Sequence, residues 1–209
     1  MPRDGSPTRD RILAVAERLM TDQGYNATSL DQVIAESSSS KGAFFHHFNS
    51  KADLALRLVE RYVESDLAHL EAGLEAAAGV DDPVAKVVAV LRFYEDQADD
   101  LIAHQSGCLY ATMLAEREFT GGEVNELVAR ATVAWRVALV DLLRPALAAG
   151  RNGADGGEDV DVDALADHLY TTFEGAFILC RTVQDPSAMR GQLRIFRQLV
   201  EALLDAPRR

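Results

Sequence analysis

A chain of 209 residues, 48% hydrophobic and 26% charged, has the composition of a soluble globular protein and the length to bury a sizeable core. No stretch is long and apolar enough to span a bilayer, and the opening "MPRDGSPTRDR" lacks the apolar core of a secretory signal, so the expectation is a cytoplasmic protein with no membrane partner. The net charge of −12 argues against nucleic acid, but it is unevenly spread: residues 1–55 carry six Lys/Arg against seven Asp/Glu, and residues 56–209 fifteen against twenty-six.

Helical periodicity runs through the chain, and strand alternation is nearly absent. Thr8 is placed to cap a first helix whose Ile12, Val15, Ala16, Leu19 and Met20 recur at helical spacing, and Gly24 supplies its stop. Ser29 followed by Gln32 reads as a capping box for a short second helix with Leu30, Val33 and Ile34 inward. Ser37–Ser39 then form a tight turn. Ser39 or Ser40 caps a short helix on which Phe44 and Phe48, four apart, share one face. A helix, a tight turn and a second helix anchored by aromatics is the grammar of a helix-turn-helix, whose second helix enters the major groove.

Ser50 caps a long helix through Leu54, Leu58, Tyr62, Leu70 and Leu74, ended by Gly79 and "DDP". Further helices are expected over about 84–104, 108–118, 123–149, 163–184 and 186–204, the last with Asp185 as N-cap and Pro186 at its first position. Residues 150–162 read as a polar, glycine-rich loop. The fold class is all-α.

The stretch "TRDRILAVAERLMTDQGYNATSLDQVIAESSSSKGAFFHHFNSKADLALRLVE" resembles the N-terminal domain of the tetracycline-repressor (TetR) family. The likeness rests on Ala16, Gly24-Tyr25, Thr28-Ser29-Leu30, Ile34-Ala35, Ser40-Lys41-Gly42, His47-Phe48, Ser50-Lys51 and Leu54. It implies a three-helix DNA-binding domain over 6–66, with the helix-turn-helix at 29–48, and a helical ligand-binding and dimerisation domain over 67–209. It also implies that Thr28, Ser29, Ser40, Lys41, Gly42, Ala43, Phe45, His46, His47 and Lys51 face double-stranded operator DNA, Lys51 by holding a phosphate. Two positions depart from the family. Ser38-Ser39 replace a Gly-Val turn, and a positive φ strains serine more than glycine. Phe45 replaces a tyrosine and removes one hydroxyl donor.

Other chemistry is thin. Adjacent His46 and His47 point about 100° apart on a helix and do not converge on a metal. "EDVDVD" lacks the glycine and the final glutamate of a calcium loop, since Ala164 and Tyr170 stand at those positions. Glu116, Glu118 and Glu123 read as a charged helix end rather than catalytic carboxylates. No enzyme motif is found and no cofactor is expected.

A small-molecule effector would meet Tyr94, Gln97, His104, Cys108, Tyr110, Met113, Trp135, Phe173 and Phe177, each of which is more often ordinary core. Cys108 opens a helix, where a thiol pKa falls, so a thiol or electrophile switch stays open beside a buried core thiol. By the resemblance, the last two helices pair with their copies to make a homodimer. The expectation is therefore a homodimeric transcriptional regulator, a repressor released from its operator by an effector. A rival from another class is a helical interaction module that binds a protein through Phe44, Phe45 and Phe48.

Overall fold

The computed structural model describes residues 6–105, 107–119, 121–149 and 160–205. Among these, every regular element is helical: α1 (Ser6–Gln23), α2 (Leu30–Glu36), α3 (Lys41–His47), α4 (Lys51–Glu75), α5 (Pro83–His104), α6 (Leu109–Leu114), a 3-10 turn (Arg117–Phe119), α7 (Glu123–Ala149), α8 (Val162–Val183) and α9 (Ser187–Asp205). The loop expected at 150–162 lies, as far as residue 159, outside the described residues, and so does the start of the calcium-like stretch.

The chain forms two compact units. One comprises Met1–Ser65 with Gln105–Arg130, the other Asp66–His104 with Ala131–Arg209. The division falls inside α4 and α7, and it assigns α6 and the 3-10 turn to the unit of the first three helices.

In the first unit α1 packs against α2, α3 and α6. Its buried face is Ile12, Leu13, Ala16, Leu19 and Met20; Leu13 takes the inward place expected for Val15, which is half-buried. The helix starts at Ser6, ahead of the expected Thr8 cap. Gly24 ends it at φ +92°, in the left-handed region that glycine occupies without strain, with its N–H donating to the Met20 carbonyl at 2.9 Å. Phe44, Phe48, Leu54 and Leu58 complete this core, none more than 1% exposed.

In the second unit α9 packs along α5 and α8. Apolar burial supplies one hold, through Leu91, Leu169, Leu193, Phe196 and Val200. Ion pairs supply another. Glu95 on α5 is 6% exposed and accepts hydrogen bonds from Arg194 Nε and Arg197 Nε, both at 2.8 Å. Arg197 also pairs with Glu201, and Arg190 with Asp99. A carboxylate this buried is tolerable because two guanidinium groups satisfy it. Burial alone would raise the Glu95 pKa, but the two arginines outweigh it and hold the carboxyl below its ordinary value.

Gly73 on α4 is required by close approach. A Cβ there would stand 2.4 Å from the Tyr94 hydroxyl, which donates to the Leu70 carbonyl at 3.3 Å.

Candidate nucleic-acid interface

The α2–turn–α3 segment is set by serines. Ser29 caps α2 by accepting from the Gln32 N–H at 3.1 Å. The expected capping box is only half made. The Gln32 side chain bonds Gln23 and Glu36 instead of reaching back to the Ser29 N–H.

α2 ends in a Schellman arrangement: the Ser39 N–H donates to Ile34 O at 3.0 Å and the Ser38 N–H to Ala35 O at 3.1 Å. That geometry puts Ser38 at φ +51°, where glycine is usual. Ser37 is fully buried, and its hydroxyl donates to Ile34 O at 3.2 Å. Ser39 Oγ lies 3.0 Å from Ser37 Oγ, so hydroxyls fill a place where an apolar side chain would pack. Arg11 Nε donates to the Ser37 carbonyl at 2.6 Å, tying the turn to α1. Ser40 then caps α3, accepting from the Ala43 N–H at 3.0 Å.

α3 turns Phe44 wholly inward, and Phe48 follows as its C-cap, 1% exposed. Phe45 is 49% exposed. This removes the rival surface: of the three phenylalanines expected to bind a protein together, two are core. Lys41, Gly42 and His46 are exposed, while Ala43 and His47 are half-buried. Lys41 Nζ stands 3.4 Å from Asp31 on α2. His47 packs 4.9 Å from the His46 ring; burial, helped by the charges of His46 and Arg9, lowers its pKa. Among the described residues no group of three or more His, Cys, Asp or Glu is arranged to hold a metal.

Thr28 differs from the other expected contacts. It is fully buried; its hydroxyl donates to Gly24 O at 2.8 Å and its N–H to Tyr25 O at 3.1 Å. Both its donors are used within the corner. Lys51 opens α4 with its ammonium 4.1 Å from the Tyr25 ring centroid, a cation–π distance. Burial lowers the Lys51 pKa, while Glu118 and Glu116 pull it the other way.

Glu116 belongs to a contact that the sequence alone does not announce. Glu116 Oε2 accepts from Asn26 Nδ2 at 2.7 Å and its Oε1 from the Asn26 N–H at 3.2 Å, and Phe119 packs edge-on to Tyr25 at 4.7 Å. The segment after α6 thus grips the corner beside Lys51.

The residues expected to line an effector site fall in both units. Cys108, Tyr110 and Met113 lie in the first, all buried, with Tyr110 4.8 Å from the Tyr62 ring. Tyr94, Gln97, His104, Trp135, Phe173 and Phe177 lie in the second. There Tyr94 gathers Trp135 at 5.4 Å and Phe173 at 6.2 Å, and also His69 and Phe93, which were not anticipated. Trp135 Nε1 donates to Asp66 at 3.0 Å. Phe177 is buried, and His104 is exposed with its Nδ1 2.7 Å from the Asp100 carbonyl.

Two short helices joined by a tight turn, the second presenting an unbroken exposed edge, define a helix-turn-helix DNA-binding protein. The chain belongs to the TetR family of transcriptional regulators: the family model for bacterial regulatory proteins of the tetR family matches residues 12–58, and that for the tetracyclin repressor-like C-terminal domain matches residues 83–196. The transcriptional regulator AcuR of Cereibacter sphaeroides is 26% identical over 198 residues, 92% of this chain and 85% of that protein. The HTH-type transcriptional activator FasR of Mycolicibacterium smegmatis is 28% identical over 143 residues, covering 68% of this chain and 61% of FasR. A crystal structure of a TetR transcriptional regulator from Chloroflexus aurantiacus superposes with a TM-score of 0.75 at 26% identity, covering 95% of this chain and 96% of that one. The family is one of DNA-binding transcriptional regulators, not enzymes. No described helix is long and apolar enough to cross a membrane.

Proposed function

We propose that the chain acts as a homodimeric repressor whose two α3 helices enter successive major grooves of an operator and which a small, non-covalent effector releases. The observation that carries the reading is the exposed edge of α3, held by the Ser40 cap and the buried Phe44 and offering Lys41, Gly42, Phe45 and His46 to a groove. Ser29 and Lys51 serve the phosphate backbone, Lys51 after leaving the Tyr25 ring. Thr28 acts by holding the corner between α1 and α2 and not by touching DNA.

The dimer uses α8 and α9, where Ile178 is 68%, Ile195 51% and Leu199 59% exposed. Phe196, on the other face of α9, is core. The effector binds around the aromatic group of Tyr94, Trp135 and Phe173. α4 carries Lys51 at its start and Asp66, His69 and Gly73 near its end, so a ligand that favours one placement of this helix shifts the population of DNA-competent protein. Cys108, only 8% exposed, is packed as a core thiol, which favours the pocket over the thiol switch.

The test is selection of duplexes from a random-sequence library by the full-length protein, followed by binding to the enriched sequence at several salt concentrations. A twofold-symmetric sequence bound by a dimer, with log affinity falling linearly with log salt, is expected. No enrichment of any duplex would refute the reading.

A further inference from the structure

We infer that Phe45 reads the 5-methyl group of a thymine in the major groove, one in each half of the operator; the inference rests on the proposal that α3 enters that groove. The argument starts from what α3 can offer. Its seven residues, "KGAFFHH", include no Arg, Asn or Gln, and Lys41 is the one side chain of the kind that singles out guanine by hydrogen bonds. Lys41 is drawn towards Asp31 at 3.4 Å. Gly42 has no side chain, and a Cβ there would meet nothing nearer than Ser40 Oγ at 3.9 Å. The exposed edge is therefore one lysine shared with Asp31, an open backbone, one imidazole and one apolar ring.

That ring is supported on one side. Phe45 meets Phe44 edge to face, with centroids 5.3 Å apart and planes at 86°, and Phe44 is itself fully buried. A ring held out by a buried neighbour loses little freedom when it binds, and its apolar surface gains by leaving water. In the major groove the apolar feature of a base edge is the thymine methyl, which aliphatic and phenyl groups contact. A tyrosine hydroxyl at this position would have a hydrogen bond to offer a phosphate; phenylalanine has only its surface. Specificity on this helix is then carried more by the shape of the methyl than by hydrogen bonds.

The experiment uses the full-length protein and the duplex enriched from the random library. Each thymine is replaced by deoxyuridine, which removes the methyl and leaves base pairing intact. The wild type should lose roughly fourfold in affinity for the one methyl read in a half-site, and roughly fifteenfold when both halves are changed. The loss should map to one thymine per half-site. Phe45→Ala should bind the thymine and uracil forms equally, and Phe45→Leu should keep part of the difference. Helical circular dichroism and thermal melts matching wild type, expected because Phe45 is half exposed, show that both variants are folded. Wild type that binds its selected duplex tightly but ignores the methyl would overturn the inference and leave the DNA-binding reading intact. Phe45→Ala that still discriminates by the full factor would assign the methyl to another residue. Failure to enrich any duplex would take both readings down together.

Discussion

Two of the places where the described residues keep large apolar side chains in water, α3 and the α8–α9 pair, are built on opposite plans. On α3 one aromatic ring, Phe45, stands among capping serines, a lysine, a glycine and a histidine. On α8 and α9 the exposed groups are aliphatic and several: Ile178, Val183, Ile195 and Leu199. Ile195 and Leu199, four apart, share one face of α9, while Met189, Leu193, Phe196, Val200 and Leu204 bury another. A helix apolar on two faces needs two partners. Its own unit supplies one, and a second copy of the chain is proposed as the other. A single propped ring, by contrast, suits a small target such as a methyl group. The contrast teaches that exposed apolar area is informative through its grouping and support more than through its amount.

The sharpest way to break the comparison is to loosen α9 from its own unit. Glu95→Ala leaves Arg197, whose side chain is 12% exposed, without its main counter-charge, and should cost about 3 kcal/mol in stability by denaturant melts. Glu95→Gln adds a check on sign. The folded carboxyl lies below its ordinary value of 4.5, so its contribution is complete above that pH and is lost as pH falls through the lower folded value. The wild-type advantage over Glu95→Gln should stay level from neutral pH to about 4.5 and shrink below it. An advantage that grew on acidification would reverse the assignment.

Next in size is the other face of α9. Leu199→Asp should leave the fold intact, since the side chain is exposed, and convert dimer to monomer in sedimentation. Affinity for a two-half-site duplex should fall about a hundredfold as avidity is lost. An unchanged dimer in both Leu199→Asp and Ile178→Asp would move the interface elsewhere.

Smaller effects test the DNA-binding unit. Lys51→Ala should weaken binding to all sequences alike and flatten the slope of log affinity against log salt by about 1. A change in base preference at constant slope would contradict the phosphate role. Ser38→Gly should be the smallest. It relieves a left-handed serine but loosens the unfolded chain, a net gain of about 0.5 kcal/mol visible in thermal melts. A loss of stability would mean that the hydroxyl turn depends on Ser38 itself.

How much of this was legible in the sequence depends on the range of each interaction. α7 was read at its observed bounds, Glu123–Ala149, because Gly121-Gly122 precedes it and its period is strong; even Pro145 lies within it. The serine caps at 29 and 50 were legible, and that of α3 to within Ser39 or Ser40, because a cap acts over three residues. Phe44 and Phe48 betrayed the inner side of α3 by their spacing. What escaped was long in range. Glu116 and Asn26 are 90 residues apart, and Glu95 and Arg197 are 102 apart; both pairs use residue types that also decorate any exposed helix. Lys51 looked like a free cation because nothing local announces the Tyr25 ring beneath it. The same limit hid the membership of residues 105–130 in the first unit, and with it the division of the expected effector residues between two units.

The central claim is that the α2–turn–α3 segment is the surface that meets DNA, while the apolar face of α8 and α9 serves the dimer whether or not DNA is bound. Amide hydrogen exchange of the dimer, with and without the enriched duplex, tests both halves at once. The account predicts slowed exchange over 37–51 on adding duplex, with exchange in α8 and α9 already slow and unchanged. Protection gained along α8 and α9, with 37–51 unaltered, would contradict it.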